Sequence, residues 1–129
     1  MQLKHAGLLC STEENADKFY QDTLGLIKNS PKILSRDLSQ AIFGVDTDLK
    51  MINYTADDLH FEIFIYPREL VLSETIAHTC LEVDDRKAFL HRCETMGIKM
   101  NIIPKNEKTL VFVYDFDGNL FEIKEKESS

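Results

Sequence analysis

The sequence predicts an α+β fold made of two tandem halves with the same order of elements. Three observations predict it. The tripeptide Phe-Glu-Ile occurs twice, at Phe61-Glu62-Ile63 and at Phe121-Glu122-Ile123, each time in a run that alternates apolar and polar residues. A histidine stands near the start of a strand-like segment in each half, His5 and His78. A glycine ends a helical pattern in each half, Gly25 and Gly97. His5 thus matches His78, Gly25 matches Gly97 and Glu62 matches Glu122, and each half reads strand, helix, strand, strand, strand.

Taken in order, Leu3 to Cys10 is strand-like. Ser11-Thr-Glu-Glu14 has the form of a capping box, and Ala16, Phe19, Tyr20 and Thr23 follow at helical spacing. Leu26 to Leu34 reads as a strand interrupted at Asn29-Ser-Pro31. Ser35 to Asp46 is poorly patterned, a loop with room for a short helical turn. Leu49 to Thr55 and Leu59 to Tyr66 form a hairpin through Ala56-Asp-Asp58.

The order then restarts. Ile76 to Val83 is a strand. Asp84 or Asp85 caps a helix with Phe89, Leu90, Cys93 and Met96 on its apolar side. Ile98 to Ile103 is a strand closed by Pro104. Thr109 to Asp115 and Asn119 to Glu125 pair through a turn at Asp117-Gly118. The first half is longer between its His and its Glu, and Ser35 to Asp46 holds the excess. These boundaries give one domain over residues 1–129, with a first module at about 1–67, a linker at about 68–73 and a second module at about 74–126.

The chain has 129 residues, enough for one substantial core, with 43% hydrophobic and 29% charged residues. Fifteen Lys and Arg stand against 22 Asp and Glu, a formal charge of -7. That acid surplus argues against broad nucleic-acid or anionic-membrane binding, which needs a basic footprint. No apolar run reaches the roughly 20 residues of a membrane helix. The N-terminus lacks a secretory pattern, and three cysteines make an odd number, so a cytoplasmic protein with reduced thiols is expected.

Side chains alternate across a strand. Leu59, Phe61, Ile63 and Ile65 therefore share one face, and His60, Glu62, Phe64 and Tyr66 share the other. If each helix covers the Phe-Ile face of its sheet, the opposite face carries His5 and Glu62, or His78 and Glu122. Two imidazoles and two carboxylates converging make a site for a divalent metal, and the set is permissive among nickel, zinc, cobalt, manganese and iron. Two carboxylates buried without a counter-charge are costly, and a metal removes that penalty. His60 and Cys80 fall on the same faces, as ligands or as lining. Phe64 and Tyr66 extend the Glu62 face and are placed to line an apolar pocket or simply to pack.

The series His5-Ala-Gly-Leu, Phe19-Tyr20, Leu24-Gly-Leu26, Phe61-Glu62-Ile63, His78 and Asp115-Phe-Asp-Gly-Asn-Leu-Phe-Glu122 resembles the vicinal oxygen chelate superfamily. That family includes glyoxalase I, the extradiol dioxygenases and the bleomycin and fosfomycin resistance proteins. The resemblance implies paired βαββ modules in a curved mixed sheet, with His5, Glu62, His78 and Glu122 at the four metal positions. Glutamate at position 62 makes the ligand set similar to that of glyoxalase I. It implies a lyase or isomerase acting on a small oxygenated molecule through a metal-stabilised enediolate, with Glu122, or otherwise Glu62, moving the proton. It also implies a homodimer, with the site within one chain or shared by two. Leu9 stands where glyoxalase I usually has an arginine for the glutathione carboxylate, which argues against glutathione. The competing readings are a non-catalytic, resistance-type binding protein and a ring-cleaving dioxygenase.

Overall fold

The computed structural model describes residues 1–67 and 75–127. The chain divides into two compact units, residues 1–69 and 70–129. The expected linker at 68–73 lies outside the described residues.

The first unit contains β1 (Ala6–Cys10), α1 (Glu13–Ala16) running into a π-helical stretch (Asp17–Thr23), β2 (Ile27–Lys28), β3 (Lys32–Leu34), α2 (Arg36–Phe43), β4 (Leu49–Ala56) and β5 (Leu59–Ile65). Its strands are ordered β1-β5-β4-β2, with β3 also paired to β4. The second unit contains β6 (Thr79–Val83), α3 (Arg86–Thr95), β7 (Met100–Lys105), β8 (Lys108–Tyr114) and β9 (Leu120–Glu125), ordered β6-β9-β8-β7. The two orders are the same once β3 and α2 are set aside. Each sheet is mixed: β1 runs parallel to β5 and β6 parallel to β9, and the other pairings are antiparallel. The fold is α+β with two sheets of repeated βαββ-like modules, as the sequence predicts.

The core of the first unit lies between its helix and its sheet. Ala16, Phe19, Tyr20 and Thr23 are wholly buried, and the Tyr20 ring lies 5.5 Å from both Tyr54 and Phe61. The helix begins one residue later than expected. Thr12, not Ser11, accepts the Asn15 amide at 3.1 Å, while the Ser11 hydroxyl takes the Asn15 side chain. Glu14 does not reach back to the cap and pairs with Lys18. Leu24 donates to the Phe19 carbonyl five residues back, and the wider turn keeps Phe19, Tyr20 and Thr23 all facing the sheet.

A polar cluster ties this helix to the strands. Lys28 Nζ lies 2.6 Å from Glu13 Oε2 and 3.0 Å from Asp17 Oδ2, Lys50 Nζ lies 3.0 Å from Glu13 Oε1, and the Tyr54 hydroxyl donates to Asp17 Oδ1 at 2.7 Å. Hydrogen bonds from Lys28 and then Lys50 hold Glu13 below its ordinary value of 4.5. The hydrogen bond to Glu13 holds Lys28 above its ordinary 10.5. The Glu13 contribution is present above pH 4.5 and is lost as pH falls through the lowered value. The Lys28 contribution is lost only as pH rises past its raised value. Lys28→Met is therefore expected to cost about 1–2 kcal/mol at neutral pH, since it leaves Asp17 without its cation and Glu13 with Lys50 alone. In urea melts the gap to the wild type should narrow as pH falls below 4.5. A gap unchanged by acid would show that the cluster is not electrostatic.

Two further stretches differ from expectation. Between Ser35 and Asp46 the short helical turn is a two-turn helix, α2 (Arg36–Phe43). Ser35 Oγ accepts the Leu38 amide at 3.3 Å, and Gly44 closes the helix in the left-handed region at φ 70°. Only Ser39 of α2 is buried, and its apolar residues Leu38, Ile42 and Phe43 stay exposed. The excess length of the first half lies between Leu34 and Leu49, where α2 sits, because β2 and β3 together pair with β4 as β7 pairs with β8. Pro104 does not close β7, which continues to Lys105. The strand is an edge, paired only with β8, where a missing N–H is tolerated.

The turn before β9 is organised by Asp115 more than by Asp117. Asp115 is buried, its Oδ1 accepts the amides of Asp117 and Asn119 at 2.9 Å each, and its Oδ2 accepts the Asn119 side-chain amide at 2.7 Å. This holds the entry to β9 and hence the position of Glu122. Among the described residues no helix is long and apolar enough to cross a membrane.

Candidate metal centre

In both units the buried strand face is the Phe-Ile face. Phe61, Ile63, Phe121 and Ile123 are each at most 1% exposed. Strand alternation sends Glu62 and Glu122 to the other face, where their side chains remain 21% and 19% exposed.

The register is the same in both halves. Gly7 lies opposite Glu62 and Cys80 lies opposite Glu122, each on a parallel neighbour. His5 immediately precedes β1 and His78 immediately precedes β6. Each histidine is therefore two residues before the partner of its glutamate, and so on the same face. His5 Nε2 lies 3.4 Å from Glu62 Oε1, and His78 Nε2 lies 3.6 Å from Glu122 Oε1. The sequence paired each histidine with its glutamate, and the fold brings each of those pairs together within its own unit. Neither pair has a third partner of this kind. Among the described residues no three His, Cys, Asp or Glu side chains group as a metal would hold them.

The orientation of His78 bears on what the pair can bind. Its Nδ1 lies 2.8 Å from the Ile76 carbonyl oxygen. A carbonyl only accepts, so Nδ1 carries the hydrogen and Nε2 is the ring nitrogen that faces Glu122, as an N–H or as a lone pair. Two electron-rich atoms at that distance need a positive centre between them, a proton or a metal ion. A backbone carbonyl on the far nitrogen is also how metal-binding imidazoles are commonly oriented. Two donors each about 2.1 Å from one ion, at a roughly tetrahedral angle, stand about 3.4 Å apart. The separations of 3.4 Å and 3.6 Å in the two pairs fit that requirement. Imidazole nitrogen with carboxylate oxygen suits the borderline divalent ions.

The His60 ring lies 5.5 Å from that of His5, but its Nε2 is engaged with Asn53 Oδ1 at 2.6 Å. Cys80 is an exposed free thiol, and partial desolvation, followed by the Glu122 carboxylate, pushes its pKa up. The Phe112 ring meets His78 edge-on at 5.8 Å. Beside His5 and Glu62 the first unit has a cavity of about 390 Å³, walled by Leu9, Phe43, Val45, Phe64 and Tyr66. Phe64 and Tyr66 were legible from strand parity. Phe43 was not, because it belongs to α2; the cap at Ser35 and the stop at Gly44 were the signals available.

The sequence matches the model of the Glyoxalase/Bleomycin resistance protein/Dioxygenase superfamily over residues 2–123. The chain belongs to this superfamily. No curated protein matches it. Among solved structures, this superfamily member is similar to a glyoxalase family protein from Enterococcus faecalis, at 17% identity and a TM-score of 0.72, over 95% of each chain. It is also similar to the fosfomycin resistance protein FosX from Listeria monocytogenes complexed with Mn(II) and sulfate, at 18% identity and a TM-score of 0.71, over 98% of this chain and 90% of that one. A FosX mutant from the same organism, complexed with Mn(II) and 1S,2S-dihydroxypropylphosphonic acid, gives 17% identity and a TM-score of 0.69 over 95% and 88%. At these identities the likeness concerns the fold.

Proposed function

We propose that this superfamily member is a divalent-metal-dependent enzyme with glyoxalase-like lyase or isomerase activity on a small oxygenated molecule. The observation that carries the reading is the repeated His–Glu pair, two residues of the same types in the same register of both sheets, each 3.4–3.6 Å apart. His5, Glu62, His78 and Glu122 would hold one ion when the modules pair, within a chain or between the chains of a homodimer. The Mn(II) in the FosX structures is in keeping with a divalent ion. When bound, the ion supplies Lewis acidity to adjacent substrate oxygens.

The remaining work falls to side chains. Glu122 takes the proton from the carbon beside a carbonyl and returns it to the neighbouring carbon, an isomerisation with no net oxidation. One C–H bond breaks and one forms, the hydroxyl proton passes from its oxygen to the former carbonyl oxygen, and the carboxylate ends as it began. Its side chain is 19% exposed, which leaves the held proton a route to exchange with water. The Ile76 carbonyl fixes His78 in the tautomer that leaves Nε2 free. Glu62 acts as ligand and closes one end of the first unit's cavity.

The test is solvent exchange. The protein loaded with Mn(II) or Ni(II) is incubated in heavy water with a neutral hydroxyketone. Deuterium should enter at the carbon beside the carbonyl, and a chelator should stop it. The hemithioacetal of glutathione and methylglyoxal should react about 100-fold more slowly, because the cavity wall presents Leu9 and no cation for the glutathione carboxylates. Binding without any exchange would favour the resistance-type reading. Rapid glutathione-dependent turnover would show that Leu9 does not exclude that substrate.

A further inference from the structure

The two halves match in their His–Glu pairs but not in what stands beside them. Only the first half carries the insert that contributes α2, and the last residue of α2 is Phe43. The Phe43 ring meets Phe64 edge-to-face, with centroids 5.1 Å apart. These two rings, with Leu9, Val45 and Tyr66, wall the cavity that has His5 and Glu62 at its polar end. Its volume of about 390 Å³ lies within the roughly 300–1,000 Å³ of small-molecule pockets. Among the described residues that line it there is no Lys or Arg. An anionic tail seated among Leu9, Phe43, Val45 and Phe64 would leave water with no Lys or Arg beside it to pair with. Phe43 is also 50% exposed, an aromatic surface that a ligand in the cavity would help to cover.

We propose that this cavity seats the body of the substrate, and that the substrate is an uncharged molecule carrying an aromatic or similarly sized apolar group next to its pair of oxygens. This deepens the metal-dependent reading and depends on it for the role of the oxygens. Phe43 and Phe64 are the specificity-determining residues: they grip the body while the oxygens reach the His5–Glu62 end. The phosphonate diol seen in the FosX complex is of a different class, small and anionic.

The test uses bidentate oxygen chelators on the metal-loaded full chain, read by calorimetry. Benzohydroxamate should bind about thirty-fold more tightly than acetohydroxamate. At about 1.4 kcal/mol per tenfold, this matches burial of roughly 80 Å² of ring. Phe43→Ala should cut the ratio to about five-fold or less and leave acetohydroxamate unchanged. A 4-carboxylate on the benzohydroxamate ring should weaken binding about tenfold. A wild-type ratio near one, a ratio indifferent to Phe43→Ala, or equal binding of the carboxylate would overturn the proposal.

If the protein takes up no metal, 1-phenyl-1,2-ethanediol and 1,2-propanediol are compared by NMR on the metal-free chain. A preference for the phenyl compound that Phe43→Ala abolishes would uphold the cavity assignment while the metal reading falls. Equal binding of the two diols would overturn both.

Discussion

Glu122→Gln is expected to lower turnover of a neutral hydroxyketone by about 10³-fold at saturating metal, within the range of about 10²–10⁴ for loss of a general base. Glutamine keeps the shape of the side chain and an oxygen donor but takes up no proton. Glu122 lies mid-strand in β9, its neighbours Phe121 and Ile123 stay buried, and the Asp115 turn ahead of it is untouched. The fold should survive, and the loss should fall on kcat more than on KM. Glu62→Gln is the control. It should weaken metal binding, with turnover largely restored by excess metal. If Glu62→Gln abolishes turnover at saturating metal and Glu122→Gln does not, the base is Glu62.

The second large effect is on the metal itself. His78→Ala should weaken binding of Mn(II) or Ni(II) by about 100-fold or more, since loss even of a supporting partner outside the ligand set typically costs 10–100-fold. His5→Ala should do the same, because the two histidines hold equivalent positions one residue before β1 and β6. Their side chains are 42% and 38% exposed, so neither change should move the melting temperature by more than about 2 °C. Titration of each variant with metal, followed by calorimetry, reads the loss. Unequal losses would break the equivalence of the two halves.

Much of this fold was legible because the repeat was. The doubled Phe-Glu-Ile gave two strands with the same buried face, and parity put each histidine on the face of its glutamate. That β1 lies beside β5 and β6 beside β9, in the same register, comes with the fold. The missed features are those with weaker rules. The cap at Thr12 differs from Ser11 by one residue, and both types cap well. Helix α2 has Leu38, Ala41 and Ile42 at helical spacing, but the stripe covers little more than one turn, and with it went Phe43 and the aromatic wall of the cavity. Asp115 read as the end of a strand, because its role as acceptor for three N–H groups appears only once the turn is closed. The meeting of the two halves' pairs in one site is a proposal that neither register contains.

That proposal has a direct measurement, the number of divalent ions bound per chain. The untagged wild-type protein is titrated with Mn(II) or Ni(II), freed of excess metal and subjected to elemental analysis. One ion per chain is predicted, since four donors from two pairs serve a single centre. Two ions per chain, one for each His–Glu pair, or none at all, would contradict it.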